Sequence, residues 1–184
     1  MPVNVPRTKP LASRAVALAA ILGLGGPALT GFAPASRPVK LRLFNTHTGE
    51  RIEVVYRHGG DYDPTALVEL ERFLRDHRSG HVHGFDPALF DLLTELAREV
   101  KREDAEFQVI SGYRSPETNE TLRAARTGIA KHSLHMEARA IDIRLPGTPT
   151  AVLRDTALSM EKGGVGYYRA SDFIHVDTGR VRRW

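Results

Sequence analysis

The 184-residue chain contains no cysteine. That excludes a disulfide framework, cysteine-ligated zinc, iron–sulfur clusters, a thiol nucleophile and a lipid-modified N-terminal cysteine. Any metal it binds must therefore sit on nitrogen and oxygen ligands. An apolar run long enough for a membrane span is also missing. The stretch from Ala15 to Leu24 is broken by Gly25, Gly26 and Pro27, whereas a spanning helix needs roughly twenty residues. Excess charge of one sign is missing too. There are 26 basic and 22 acidic residues, but Arg7, Lys9 and Arg14 fall in the acid-free first 35 positions, so the remainder carries 23 against 22. No basic stripe interleaved with aromatics argues for nucleic acid. Arg180, Arg182 and Arg183 make a small basic end, which reads as a solvated tail.

The basic start, the short apolar run and the A-P-A sequence ending at Ala35 together describe a cleavable export signal over residues 1–35. An uncleaved anchor and an unstructured leader are the other readings of the same segment. The expected mature domain is 36–184, exported to the periplasm or cell envelope, monomeric, and touching the membrane only through the signal. With 41% hydrophobic and 26% charged residues overall, it has the composition of one compact domain with a genuine core.

From Val39 onward, short strands mix with helices, an α+β pattern. KLRLF and RIEVVY alternate apolar and polar residues around NTHTGE, which predicts a β-hairpin. DYDPTALVELERFLRDH predicts a helix with Asp63 as N-cap, Pro64 at the first helical position and Leu67, Leu70, Phe73 and Leu74 at helical spacing. FDPALFDLLTELAREV repeats the device with Asp86 and Pro87, and both Asp-Pro pairs read as caps rather than catalytic groups. His81 and His83 lie between the helices in a Gly-flanked stretch and read as a surface loop.

The chemistry concentrates in the second half. EFQVISGYRSPETNETLRAA reads as a buried strand, Phe107 to Ile110, a turn, and a helix opening at Ser115 and Pro116, so Arg114 sits at the strand-to-helix turn. Its guanidinium could clamp a substrate carboxylate bidentately, or pair structurally with an acid such as Glu117. In KHSLHMEARAIDIRL, His135 and Asp142 are seven residues apart, about 23 Å in a strand and about 10 Å in a helix. To share one ion the chain must fold back between them, and Ala138 and Ala140 are small enough for the crowding. A carboxylate among Ala140, Ile141, Ile143 and Leu145 is costly to bury unless paired or ligating. In GGVGYYRASDFIHVDTG, the strand FIHVD puts His175 and Asp177 on one face. His175 completes a His, Asp, His set that leaves a fourth position for water, as catalytic zinc sites require. Asp172 and Asp177 are the acids able to take a proton from that water.

S-x-H-x6-D, as SLHMEARAID, followed by H-x-D, as HVD, resembles the D-alanyl-D-alanine metallopeptidases, which share a zinc fold with lysostaphin-type peptidases and the hedgehog signalling domain. VISGYRSPETN, SLHMEARAIDIRL and GGVGYYRASDFIHVDTGRVRRW together resemble the murein endopeptidase K-like branch of exported cell-wall hydrolases, over residues 39 to 184 and including LRDHRSGHVH. The resemblance implies a small antiparallel sheet that carries the metal site and packs against several helices. It further implies Zn2+ on His135, Asp142 and His175, Arg114 near the substrate carboxylate with Tyr113 or Tyr168 assisting, and Asp172 as general base with Asp177 as fallback. The implied activity is opening of cross-links between peptidoglycan stem peptides. A D-alanine carboxypeptidase and a non-catalytic peptidoglycan-binding module of the same fold are the alternatives. Where the family commonly has glycine, three residues after the first histidine, this chain has Ala138, so a positive φ there would be strained.

Overall fold

The computed structural model describes residue 1 and residues 37–125 and 128–184. The proposed signal thus lies outside the described residues, Met1 apart. Among the described residues no helix is long and apolar enough to cross a membrane.

In chain order the elements are β1 (Pro38–Asn45), β2 (Arg51–His58), β3 (Asp61–Tyr62), α1 (Pro64–Phe73), α2 (Pro87–Glu99), β4 (Phe107–Ser111), α3 (Pro116–Ala125), β5 (Ala140–Arg144), α4 (Thr150–Ser159), β6 (Gly164–Tyr168), β7 (Phe173–Asp177) and β8 (Arg182–Arg183). The strands form one sheet in the order β3-β2-β1-β4-β5-β7-β6-β8. The predicted hairpin is β1 paired with β2. The α+β class stands as expected, with a mostly antiparallel sheet packed against helices; within it β4 runs parallel to β1, and β8 parallel to β6. The first parallel pair is joined by a long connection through β2, β3, α1 and α2, and parallel neighbours do require a long one.

The two Asp-Pro pairs are helix caps. The Asp63 carboxylate accepts from Thr65 N at 2.8 Å and Ala66 N at 3.2 Å, and Asp86 accepts from Ala88 N at 3.1 Å. At α3, the Ser115 hydroxyl accepts from Thr118 N at 3.2 Å. These bonds satisfy donors that the first helical turn leaves without partners.

One core joins Leu70, Phe73 and Leu74 of the α1 region, Leu89, Phe90, Leu93 and Leu96 of α2, and Leu153 and Ala157 of α4 to the apolar face of the sheet. That face is built from alternate residues: Leu41 and Leu43, Phe107 and Val109, Ile141 and Ile143, Ile174 and Val176, all essentially inaccessible to water. Burial of each such side chain contributes roughly 1.5–3 kcal/mol. On β5 and β7 the intervening residues, among them Asp142 and His175, point the other way, and the site is built on that side.

Candidate metal centre

Asp142 and His175 are direct cross-strand partners in the β5–β7 ladder. His135 comes from a short 3-10 turn, Leu134–Glu137, that ends where Ala138 takes a left-handed conformation, φ 50°. This turn is the reversal that the seven-residue spacing requires. Ala138 is fully buried, and it does hold the positive φ at which a methyl group is strained.

The three side chains converge as one group. His135 Nε2 lies 3.2 Å from Asp142 Oδ1 and 3.1 Å from His175 Nδ1, which is itself 2.9 Å from Asp142 Oδ1. Ligand atoms about 2.0–2.1 Å from a tetrahedral zinc are about 3.3 Å apart, so the triangle is close to the size such an ion needs. Proton bookkeeping points the same way. His135 Nδ1 faces the Gly112 carbonyl at 2.8 Å, and His175 Nε2 faces Asp177 Oδ2 at 2.9 Å. Neither oxygen can donate, so each of those nitrogens carries the hydrogen, and Nε2 of His135 and Nδ1 of His175 present lone pairs. Two lone pairs and a carboxylate oxygen pointing at one another are mutually repulsive without a cation between them, and the donor set therefore fits a divalent metal.

The electrostatics reflect this crowding. Burial pushes His135 below its ordinary value. Burial opposes ionisation of Asp142 as well, but the two histidines outweigh it and hold the carboxyl well below the usual range. His175 is pulled down by burial, yet hydrogen bonds and charges from Asp142 and Asp177 raise it overall.

The stretch after β4 cradles His135. Arg114 N donates to the His135 carbonyl at 3.1 Å, and Tyr113 N to the Leu74 carbonyl at 2.9 Å. Gly112 is needed where it stands, because a Cβ there would lie 2.6 Å from the Leu74 carbonyl oxygen.

A cavity of about 640 Å³ opens over the triad, lined among others by Arg78, Arg114, Arg144, Tyr168 and Trp184. Arg114 is buried and forms no ion pair among the described residues. It contacts only Asn119 Oδ1 at 3.4 Å and Ser111 Oγ at 3.5 Å, and its Nε has no hydrogen-bond partner. The pairing with Glu117 considered from sequence does not form, and the guanidinium is left facing the cavity. Tyr168 lines the same cavity. Tyr113 does not: its ring packs on His83 with centroids 5.0 Å apart. The loop holding His81 and His83 contributes no ligand.

The two aspartates beside His175 differ sharply. Asp177 is completely buried and fully engaged. It accepts from His175, from Gly164 N at 3.0 Å and Gly179 N at 2.8 Å, and from both terminal nitrogens of Arg182 at 3.0 and 2.7 Å. Burial resists its charge, but these donors prevail and keep it far below the usual carboxylate range. Asp177 orients His175 and has no lone pair left for a water. Asp172 ends the turn before β7 in a left-handed conformation, φ 52°, with its side chain 68% exposed. The Thr150 hydroxyl donates to it, and Arg144 Nη1 stands 3.9 Å away. Its neighbours Ser171 and Phe173 line the cavity.

The basic end is not a solvated tail. Arg182 grips Asp177, β8 extends the sheet beside β6, and Trp184 lies against the His175 ring at 5.1 Å with its indole N–H donating to Tyr168 Oη at 3.1 Å. Arg182 and Trp184 were missed because neither shows a spacing signal. The only hint was a tryptophan and an arginine so close after HVD.

The family described as "Peptidoglycan L,D-endopeptidase MepK" matches residues 33–184. The chain is 42% identical over 173 residues to the peptidoglycan L,D-endopeptidase MepK of Escherichia coli, covering 89% of this chain and 94% of that protein, and equally so to that of Shigella flexneri. A Haemophilus influenzae protein named as a probable peptidoglycan L,D-endopeptidase MepK is 40% identical over 148 residues, 80% of each chain.

Proposed function

The chain belongs to the peptidoglycan L,D-endopeptidase MepK family, and from that premise we propose that it opens peptidoglycan cross-links at an amide joining an L-configured to a D-configured centre, using Zn2+ on His135, Asp142 and His175. The observation that carries the reading is the triangle of lone pairs beside an arginine that forms no ion pair among the described residues. When bound, such an ion supplies Lewis-acid polarisation of a carbonyl and a more acidic water. Gly112 and Asp177 hold the two histidines in the ligating tautomer. Arg114 binds a free carboxylate of the peptide, which fixes the scissile amide in the cavity, and Tyr168 and Trp184 form its wall. Asp172 accepts the proton of the attacking water and passes it to the leaving nitrogen as the C–N bond breaks, so the products are one carboxylate and one amine. It is favoured over Asp177 because its carboxylate is exposed and carries few bonds.

The polymer substrate places the protein in the cell envelope. We further propose that residues 1–35 export it to the periplasm and that residues 36–184 act there as a monomer. The test is release of monomers from cross-linked stem-peptide dimers by wild type, His135→Ala and Asp172→Asn. Wild type should open the dimers. His135→Ala should be inactive and metal-poor, and Asp172→Asn should keep its metal while losing roughly 10²–10⁴ in rate. An Asp172→Asn enzyme of full activity would remove Asp172 from the mechanism.

A further inference from the structure

The loop LRDHRSGHVH, part of the family resemblance, has no place in the chemistry above. Its Asp76 is completely inaccessible to water, a buried charge that no step uses. Its Oδ1 accepts from Arg78 N at 3.0 Å and its Oδ2 from Ser115 N at 2.9 Å, while Asp76 N donates to the His81 carbonyl and Gly80 N to the Asp76 carbonyl. Burial works against its ionisation, but hydrogen bonds from Thr118, Ser115 and Arg78 prevail and hold it far below the usual carboxylate range. One carboxylate thus ties the backbone of Arg78 to the residue that follows Arg114.

Arg78 and Arg114 line the same cavity, and neither forms an ion pair among the described residues. The acids nearest them are committed elsewhere, Asp76 to backbone donors and Asp142 to the two histidines. Two like charges brought to one wall without a counterion repel each other, and an anion bound between them would relieve that repulsion. We propose that Arg78 and Arg114 form a two-guanidinium clamp for one free carboxylate of the substrate peptide, with Asp76 as the positioning residue that sets their spacing. This rests on the endopeptidase reading.

The test compares a cross-linked dimer bearing the free carboxylate next to the scissile amide with the same dimer bearing a carboxamide there, using wild type, Arg78→Gln, Arg78→Lys and Asp76→Asn. Arg78 is exposed, so its variants should fold. Wild type should prefer the carboxylate in kcat/KM by roughly tenfold or more. Arg78→Gln should lose most of that preference, mainly through KM, and Arg78→Lys should recover part of it. Asp76→Asn should weaken the preference as well, since the amide can accept at one oxygen only. Equal discrimination by Arg78→Gln and wild type, or an equal loss on both substrates, would overturn the clamp. If wild type opens neither dimer, the endopeptidase reading fails first. The clamp is then judged by calorimetric binding of the two peptides to wild type and Arg78→Gln, where equal affinities overturn it.

Discussion

Replacing Asp177 by Asn separates an orienting role from a catalytic one. Asn keeps an oxygen to accept from Gly164, Gly179 and one arm of Arg182, but it puts an NH2 group where Oδ2 now meets His175 Nε2 at 2.9 Å and Arg182 Nη2 at 2.7 Å. To accept from that NH2, the His175 ring must move its proton from Nε2 to Nδ1, the nitrogen aimed at Asp142 and His135. A ligating lone pair is then lost. Outer partners of metal-binding histidines typically govern about 10–100-fold in affinity, which is about 1.4–2.8 kcal/mol. Facing an NH2 with the Arg182 guanidinium also breaks a buried ion pair, for which about 3 kcal/mol of folding stability is the fitting low-end figure, because Arg182 is partly exposed. The assay is competition for zinc against a chromophoric chelator, run beside a denaturant titration of the metal-free protein. The expected result is weaker zinc binding, with activity recovered as zinc is raised. Native zinc affinity combined with abolished turnover would refute the reasoning and make Asp177 the base.

Ala138→Gly should change stability by less than about 1 kcal/mol by chemical denaturation, because relief of left-handed strain, about 1–2 kcal/mol, is offset by a lost buried methyl and a more flexible unfolded chain. Ala138→Val should be destabilised by about 3 kcal/mol or more, since a β-branched residue meets both the positive φ and a fully buried site. Gly166→Ala would put a Cβ 2.6 Å from the Trp184 indole, and Trp184 is the single tryptophan. Displacement from His175 and Tyr168 should therefore appear as a red shift of the intrinsic emission, and an unchanged spectrum would contradict the packing. His77 stacks on His47 at 4.1 Å, and burial, then the charges of Arg78 and His47, outweigh Asp76 and pull it down to about 4 from its ordinary 6.5. The unfolded chain binds the proton more readily, so this stability is complete above pH 6.5 and lost as pH falls towards 4. His77→Gln should flatten the acid side of the stability–pH curve over that interval.

What could be read from the sequence was whatever depends on local rules. The Asp-Pro caps need only the first helical turn, and the β1–β2 hairpin needs only alternation and a turn. The reversal between His135 and Asp142 followed from reach alone. Other features depend on contacts that spacing does not encode. β6 is written in GGVGYY, whose glycines, Gly166 among them to admit the Trp184 indole, give no alternation to detect. Spacing alone also offered two aspartates next to His175 without distinguishing them, and only the resemblance ranked Asp172 first. The difference comes from Arg182 and two backbone amides that meet Asp177 only once β6, β7 and the C-terminal segment are assembled. Tyr113 was grouped with Arg114 through the resemblance, but its ring packs on His83 while Arg114 lines the cavity.

The triad and the core are opposite faces of the same two strands. On β5, Ile141 and Ile143 are buried against the helices while Asp142 and Arg144 face the cavity. On β7, Ile174 and Val176 are buried while His175 and Asp177 are not in that layer. A slip of one residue would turn every side chain over, withdrawing four apolar side chains from the core at roughly 1.5–3 kcal/mol each and driving in the carboxylates of Asp142 and Asp177, the Arg144 guanidinium and the His175 imidazole. Apolar burial thus fixes the register that aligns Asp142 with His175, and no metal is needed to bring them together. Small zinc domains behave differently, because their ligands meet only when the ion does and chelation unfolds them. Here chelation should leave a cooperatively folding protein with native far-ultraviolet circular dichroism. Only the linkage contribution should be lost, about 4 kcal/mol if free metal had stood at a thousand times its dissociation constant, and this would be read as a lower Tm. Loss of the cooperative transition on adding chelator would mean that the metal builds the sheet.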